Sequence, residues 1–532
     1  MQIRINNVRI GLTNNASIKE IVAKKIGIRS NLIHSCRVIR RAIDARRKNN
    51  ICLVYHLVLD VPEGNKVAKK MLKEKKATLW IAKKQEPIVN GELELSGRPI
   101  VVGSGPAGFM TALELAKNGY KPILLERGKN IAQRVEDVNK FWKTGEFDPS
   151  SNVQFGAGGA GTFSDGKLTT RVNDSIMDSI LKEFVDAGAE KDILIDQKPH
   201  VGTDRLRAVI TRILSRIENL GGEVRYQSKV VDLIENNHKI EGVVLENGEE
   251  LKSDVVVLAC GHSARDTYEM LYKKGVEIEA KSFAIGVRVE HSQKLIDKAQ
   301  YGEYAGNLKL GSADYVLVYH DKETSRSAYS FCMCPGGSVI VSSSEEGGIV
   351  TNGMSMSKRD SGNANAAIVV NINTSDFAND PLAGIEFQRK YEKLAYNIVG
   401  EKYKLPAQNM TSFLNNTEPS LAVDFAPSCI NGLVCSKIED ILPKFVSETL
   451  KKGLVEFGKK IKGFDQSGLV LGVETRTSAP LRIKRDEHKE SISHKGLYPA
   501  GEGAGYAGGI MSAAIDGYYV AHEIIKKFKP VK

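Results

Sequence analysis

The hydrophobic and polar positions change period several times along the chain. Over residues 2–12 (QIRINNVRIGL) polar and apolar residues roughly alternate, the period of a half-buried strand. Residues 17–26 (SIKEIVAKKI) space their apolar side chains as a helix does, with Ser17 as N-cap and Glu20 three residues on. HSCRVIRRAIDARRKN and ICLVYHLVLDV read as two strands joined by a turn near Asn49-Asn50. A basic helix is predicted at about 65–76 and a short strand at ATLWIA (77–82). The order β-α-β-β-α-β predicts a ferredoxin-like α+β unit. PIVNGELELSGRP (87–99), with its Pro and Gly, reads as a linker.

From residue 98 the pattern becomes strand, glycine turn, helix (PAGFMTALELAKNG), strand (KPILLERG), the first half of a dinucleotide-binding unit. A glycine-rich segment follows at 152–168. Helices are predicted at 174–187 and 203–220, the second with Thr203 and Asp204 as candidate caps. Residues 223–260 read as short strands around an Asn247-Gly248 hairpin signal and end in DVVVLACG. Residues 281–475 are mixed and strand-rich, with a helix near 382–398. The last stretch returns to strand (LYPAG), glycine turn and helix.

The sharpest chemical signal is GSGPAG: Gly103, Ser104, Gly105, Pro106, Ala107, Gly108. It fits G-x-G-x-x-G with a strand before it and a helix after it. Gly103 permits the tight turn, Gly105 the approach of a pyrophosphate, and Gly108 close packing of helix on strand. The helix start offers free N–H groups and a positive dipole end to phosphate. Glu126, followed by Arg127, ends the next strand, 18 residues after Gly108, where an acid grips a ribose hydroxyl.

LYPAGEGAGYAGGIMSAA (497–514) resembles the closing motif of FAD-dependent oxidoreductases, in which an Ala-Gly-acid strand end precedes a Gly-Gly pair opening the last helix. The resemblance places Gly501, Glu502, Gly508, Gly509 and Ile510 against the cofactor. Glu502 stands where that family usually has Asp, a departure of one methylene. DVVVLACGHSARD (254–266) resembles the strand that crosses beneath the flavin in the same enzymes, with Cys260 and Gly261 in place of Thr and Gly. QFGAGGAGTFSDGKLTTR (154–171), FCMCPGGSVIVSSSEEGGIVTNGMSMSKR (331–359) and VETRTSAPLRI (473–483) narrow the resemblance. They are similar to uncharacterised FAD-dependent dehydrogenases that carry a ferredoxin-like N-terminal extension, and the likeness spans nearly the whole chain.

The expected fold class is α/β. A Rossmann-like FAD-binding domain (97–280 and a closing part, 476–532) is interrupted by a mixed, strand-rich substrate domain (281–475). It is preceded by the ferredoxin-like domain (1–96). The resemblance also lays Gly161, Thr162 and Ser164 along the FAD, with Lys167 near the flavin. The Cys-x4-Cys pair of disulfide reductases and a second nucleotide motif are missing, so NAD(P)H is expected only as a transient co-substrate near the flavin ring.

Further candidates follow from position. His262, directly after Gly261, is a candidate acid. Arg476, in ETRTSAP, is a candidate anion binder, against the alternative of a salt bridge to a structural acid. Tyr506 is a candidate phenol at the flavin face. Cys332-Met333-Cys334 is expected to point its thiols to opposite faces of a strand rather than form a redox pair. No metal site is expected.

Composition changes the picture in one place. Of the net charge of +11, residues 1–96 hold 20 Lys/Arg against 8 Asp/Glu, a net of +12, and the other 436 residues carry 55 against 56. A basic face on such a sheet is compatible with nucleic acid, although the aromatic run of an RNA-recognition sheet is missing. Seven scattered cysteines form no disulfide framework, so a cytoplasmic location is expected. No apolar run is long enough to span a membrane. The expected function is therefore an FAD-dependent oxidoreductase passing two electrons between flavin and a small organic substrate. The alternatives are an RNA-associated flavoprotein that uses the basic domain, or a protein that binds FAD without catalysis. Oligomeric state is not legible in the sequence.

Overall fold

The computed structural model describes residues 1–81, 88–170, 174–400 and 402–531. Ala82, at the end of one predicted strand, Pro87, at the start of the predicted linker, and Arg171 lie outside the described residues.

The N-terminal unit is a four-stranded sheet covered on one face by two helices. Its strands Gln2–Gly11, Ser35–Asp44, Cys52–Asp60 and Thr78–Leu79 lie in the order second, third, first, fourth. Helix Ile18–Ile26 starts at a reciprocal cap. Ser17 Oγ accepts from the Glu20 N–H at 3.2 Å, and Glu20 Oε2 accepts from the Ser17 N–H at 3.1 Å. Ile3, Ile5, Leu57 and Leu59 point to the helix face and are buried. The unit is docked on the rest of the chain. Arg41 Nε donates to Asp196 at 2.7 Å and its Nη2 to Asp192 at 2.8 Å, while Leu12 and Ile51 join the core of the strand-rich domain.

The second body is a five-stranded parallel sheet in the order Leu497–Pro499, Val256–Leu258, Ile100–Val102, Ile123–Leu125, Glu223–Arg225. All of its strands but Glu223–Arg225 read as short, wholly apolar or nearly apolar runs because helices cover the sheet. Helices Pro106–Lys117, Thr203–Asn219 and Ile510–Lys527 supply most of one layer of core. Thr203 and Asp204 do not cap their helix as expected: its N-cap is Gly202, with no side-chain bond. Thr203 instead donates to the Thr162 carbonyl at 2.6 Å, and Asp204 accepts from Ser357 N at 2.7 Å. Tertiary partners outbid the local cap.

Between Val256–Leu258 and Leu497–Pro499 the chain builds a seven-stranded mixed sheet. Its central strands, Asn363–Ile372, Phe283–Ser292 and Leu469–Glu474, are buried along nearly their whole length. Helices Ala383–Val399 and Lys444–Lys460 pack on it. A two-stranded ribbon, Ile278–Ala280 with Leu481–Ile483, ties exit and re-entry together.

Candidate functional site

A cleft lies where the parallel sheet meets the seven-stranded sheet, and it encloses about 1560 Å³ of atom-free space, mouth included. One wall is the C-terminal edge of the parallel sheet: Gly103–Ala107, Glu126, Arg127 and Cys260–Ala264. The glycine-rich loop adds Gly159–Gly161 and Ser164–Lys167, and the last helix adds Glu502, Gly509 and Ile510. Phe331, Cys332, Asn352, Glu474 and Arg476 close it from the strand-rich side.

Backbone geometry builds the nucleotide end. Gly103 has φ +99°, and a Cβ there would lie 2.4 Å from the Ala259 carbonyl oxygen. A Cβ on Gly108 would lie 1.7 Å from the Gly103 carbonyl oxygen, so helix and strand touch through hydrogen. By contrast, a Cβ on Gly261, Gly508 or Gly509 meets nothing within 4 Å. Helices Pro106–Lys117 and Ile510–Lys527 both begin at glycines without a side-chain cap. Their first N–H groups are left for an anion or a polar ligand.

Glu126 is engaged by its own chain. Its Oε2 accepts from the Ser104 hydroxyl at 2.6 Å and the Ser104 N–H at 3.1 Å, and its Oε1 from the Gly128 and Gly156 N–H groups at 3.0 Å. It therefore clamps the phosphate turn to the glycine-rich loop. Arg127 pairs with Asp266 at 2.6 Å and lies over the Phe155 ring at 4.2 Å. Thr162 and Ser164 donate to loop carbonyls of Ala157 and Gly161. Gly501 donates to Asp516 at 2.7 Å.

Three candidates sit differently from expectation. His262 borders the cleft, but burial, with Arg476 and Arg265 nearby, drives its pKa down to about 3. Burial thus favours its neutral form, and its buried Nε2 has no partner among the described residues. Arg476 also borders the cleft. Its guanidinium is spent on Glu392, with Nη2 at 2.9 Å, and on the Ser344 hydroxyl, so the salt-bridge alternative is the one realised. Tyr506 is not among the lining residues; its ring lies 3.8 Å from the Arg485 guanidinium carbon and its hydroxyl accepts from Arg485 N. Lys167 reaches across the cleft and donates to the Met333 carbonyl. Glu502 accepts from the Gly509 N–H at 3.3 Å and stands 3.7 Å from His262 Nδ1; burial raises its pKa to about 7. Burial likewise pushes the Cys260 thiol up to about 12.

The cysteine pair overturns its expectation. Pairing between strands Ser327–Cys334 and Asn363–Ile372 slips between Phe331 and Cys334, and Cys332 takes φ +44°. At the bulge the Cys334 thiol donates to the Cys332 carbonyl at 3.5 Å, and the two side chains stand close enough to perturb each other rather than on opposite faces.

Several residues that shape the site carry no local sequence signal. Arg134 is fully buried and donates to the carbonyls of Asn152, Val153, Gly156, Ala157 and Gly159 at 2.7–3.1 Å, which shapes the glycine-rich loop. Tyr268 donates to the Gly261 and Gly503 carbonyls and fastens these two turns at the edge of the parallel sheet to each other. Arg265 and Arg476 share Glu392, which is itself buried. Away from the cleft, Glu235, His238 and His494 place one ligand atom each within 4.8 Å of one another; the two histidines stand 256 residues apart.

These features fit a dinucleotide: an open glycine cradle, uncapped helix starts and an orphaned imidazole nitrogen face one cleft. Family comparison agrees. Residues 98–313 match glucose inhibited division protein A, 282–477 match the FAD-dependent protein C-terminal domain, and 2–60 match a domain of unknown function. An uncharacterized protein of Clostridium beijerinckii is 46% identical over 99% of each chain. A digeranylgeranylglycerophospholipid reductase of Haloferax volcanii is 25% identical over 45% of this chain and 50% of its own. A solved geranylgeranyl bacteriochlorophyll reductase-like protein of Thermoplasma acidophilum aligns over 81% of this chain and 79% of its own, at 15% identity and TM-score 0.37.

Proposed function

We propose, from the premise that this chain belongs to an uncharacterised family of FAD-dependent oxidoreductases, that it moves two electrons between bound FAD and a small organic substrate held in the cleft. The observation that carries this reading is the meeting of the phosphate turn, the Cys260–Gly261 crossing and the Glu502–Ile510 closing motif in one cleft that residues of the strand-rich domain complete. FAD supplies hydride chemistry; the protein supplies position and electrostatics. Gly103, Gly105, Gly108 and the start of helix Pro106–Lys117 hold the pyrophosphate. Glu126 fixes the turn through Ser104 and would be the acid that holds a ribose hydroxyl of the bound cofactor. Gly261, Glu502, Gly508 and Gly509 hold the flavin end. Neutral His262 donates or accepts a hydrogen bond, while Glu502, half-protonated near neutrality, is the better-placed proton carrier. Phe331 and Ile510 add apolar lining to the cleft.

The test is the visible spectrum of the purified protein, recorded anaerobically before and after NADPH. A flavin band is expected. Bleaching makes NADPH the donor; a band that persists leaves either the organic substrate as donor or a flavin bound without catalysis. A colourless protein that takes up no added FAD overturns the reading.

A second reading rests on the free face of the N-terminal sheet. Arg4 and Arg37 flank the Trp80 ring at 5.9 and 5.7 Å, a cationic, aromatic surface suited to a nucleic acid. RNA affinity that falls steeply with salt and is lost in Arg4→Ala/Arg37→Ala supports it. Salt-independent or absent binding removes it.

A further inference from the structure

Cys332 and Cys334 lie on the strand-rich side of the cleft, and nothing in the flavin-binding scheme uses them. Three observations set them apart from buried packing cysteines. First, the strand breaks register at this point and Cys332 adopts φ +44°, a conformation that side-chain-bearing residues rarely hold without a reason. Without the break, residues two apart on a strand would share a face but stand too far apart for their thiols to meet. With it, the Cys334 thiol donates to the Cys332 carbonyl at 3.5 Å, the two side chains come close enough to perturb each other, and neither is in a disulfide.

Second, the pair sits in a cationic shell. Arg288 is fully buried, held by Glu474 at 3.1 Å and Asn365 at 2.8 Å, and donates to the Cys332 carbonyl at 3.4 Å. Lys167 donates to the carbonyl of Met333, between the two cysteines. Cys334 Sγ donates to the Cys332 carbonyl at 3.5 Å. Glu474, Asp165 and Glu502 are the acids that face the pair, and the first two are engaged by Arg288 and Arg359. The Cys334 side chain and the charges of Arg288 and Lys167 lower the Cys332 thiol, whereas its neighbour and burial raise the Cys334 thiol. The surroundings thus favour the thiolate at Cys332 and the thiol at Cys334.

Third, access is one-sided. Cys332 lines the cleft together with Lys167, Glu502, Gly509 and Ile510, whereas Cys334 is completely buried behind it.

We infer that Cys332 and Cys334 are a redox-active pair that cycles between dithiol and disulfide in electronic communication with the flavin. In the oxidising direction the Cys332 thiolate and the Cys334 thiol join in an S–S bond. The two electrons and the Cys334 proton pass to oxidised FAD. In the other direction two electrons and one proton cleave the bond. A disulfide closed over one intervening residue makes a small, tight ring, and strained disulfides are the oxidising, catalytic ones rather than the structural ones. This inference rests on FAD occupying the cleft.

The test is an anaerobic dithionite titration of the FAD-loaded protein, with peptide mass mapping of residues 332–334 after alkylation at each end of the titration. FAD content is measured separately from the visible band. Wild type is expected to take up four electrons per FAD, two for flavin and two for disulfide. Its oxidised peptide is expected unalkylated, two hydrogens below the dithiol mass, and the reduced peptide heavier by two alkyl groups. Cys332→Ser and Cys334→Ser are expected to keep the flavin band, take up two electrons and lose the lighter peptide. A protein that binds FAD, takes up only two electrons and never yields the lighter peptide overturns the pair alone; because this is read on wild type, a variant that fails to fold does not rescue the idea. A protein without FAD overturns the flavin reading and the pair with it.

Discussion

Glu502 shows what one side chain in the cleft does to the energetics of the whole. Its carboxyl is raised from the ordinary range to about 7 by burial, so the folded protein holds its proton more tightly than the unfolded chain. The contribution to stability is therefore fully present below about pH 4.5 and is lost as pH rises to 7, by at most about 3 kcal/mol. Glu502→Gln is expected to flatten urea midpoints across that window; an unchanged slope would remove the assignment. At Gly108 the argument is steric. A Cβ 1.7 Å from a carbonyl oxygen forces helix from strand, so Gly108→Ala is expected to abolish FAD binding, measured as loss of the visible band in soluble protein.

At the level of elements, the helix Ala383–Val399 is fastened to the helix Arg265–Lys273 by charge. Glu392 accepts from Arg265 Nη2 at 2.8 Å and from Arg476 Nη2 at 2.9 Å, all three buried. Removing the shared acid leaves two buried cations with only the partly exposed Glu345 to balance them. Glu392→Ala is expected to cost about 3–5 kcal/mol in chemical denaturation. Arg476→Lys is expected to cost less, since a charge remains. The cap at Ser17 is local and exposed, and Ser17→Ala is expected to cost about 1 kcal/mol. Equal costs for Glu392→Ala and Ser17→Ala would contradict the view that the buried network joins the two bodies.

For the whole molecule, ligand linkage is the natural readout, because the cleft is built from segments about 410 residues apart in sequence, from Gly103 to Ile510. FAD binds only once those segments have met, so it stabilises the folded state by about 2.7 kcal/mol at a hundred times its Kd. A thermal midpoint that rises with added FAD is expected, and one that ignores FAD would contradict the cleft assignment.

The residues that announced themselves did so through backbone requirements. GSGPAG, the Gly508-Gly509 pair and the Ser17 capping box are local: a tight turn, an uncapped helix start and a reciprocal cap each need particular residues at fixed short spacing. The parallel sheet was legible because its strands, covered by helices, read as short apolar runs next to helical ones. The sequence could not disclose that Arg134 is buried among five loop carbonyls, or that Arg476 faces Glu392 rather than a ligand. Nor could it disclose that His262 is held neutral. Each depends on which distant side chains become neighbours and on how much water is excluded between them. The bulge at Cys332 belongs to the same class: a regular strand keeps residues two apart on one face at a fixed spacing, and only the register imposed by the neighbouring strand Asn363–Ile372 breaks that spacing. Local geometry is written in short-range steric rules, whereas pairing, burial and pKa arise from contacts between segments that meet only in the folded chain.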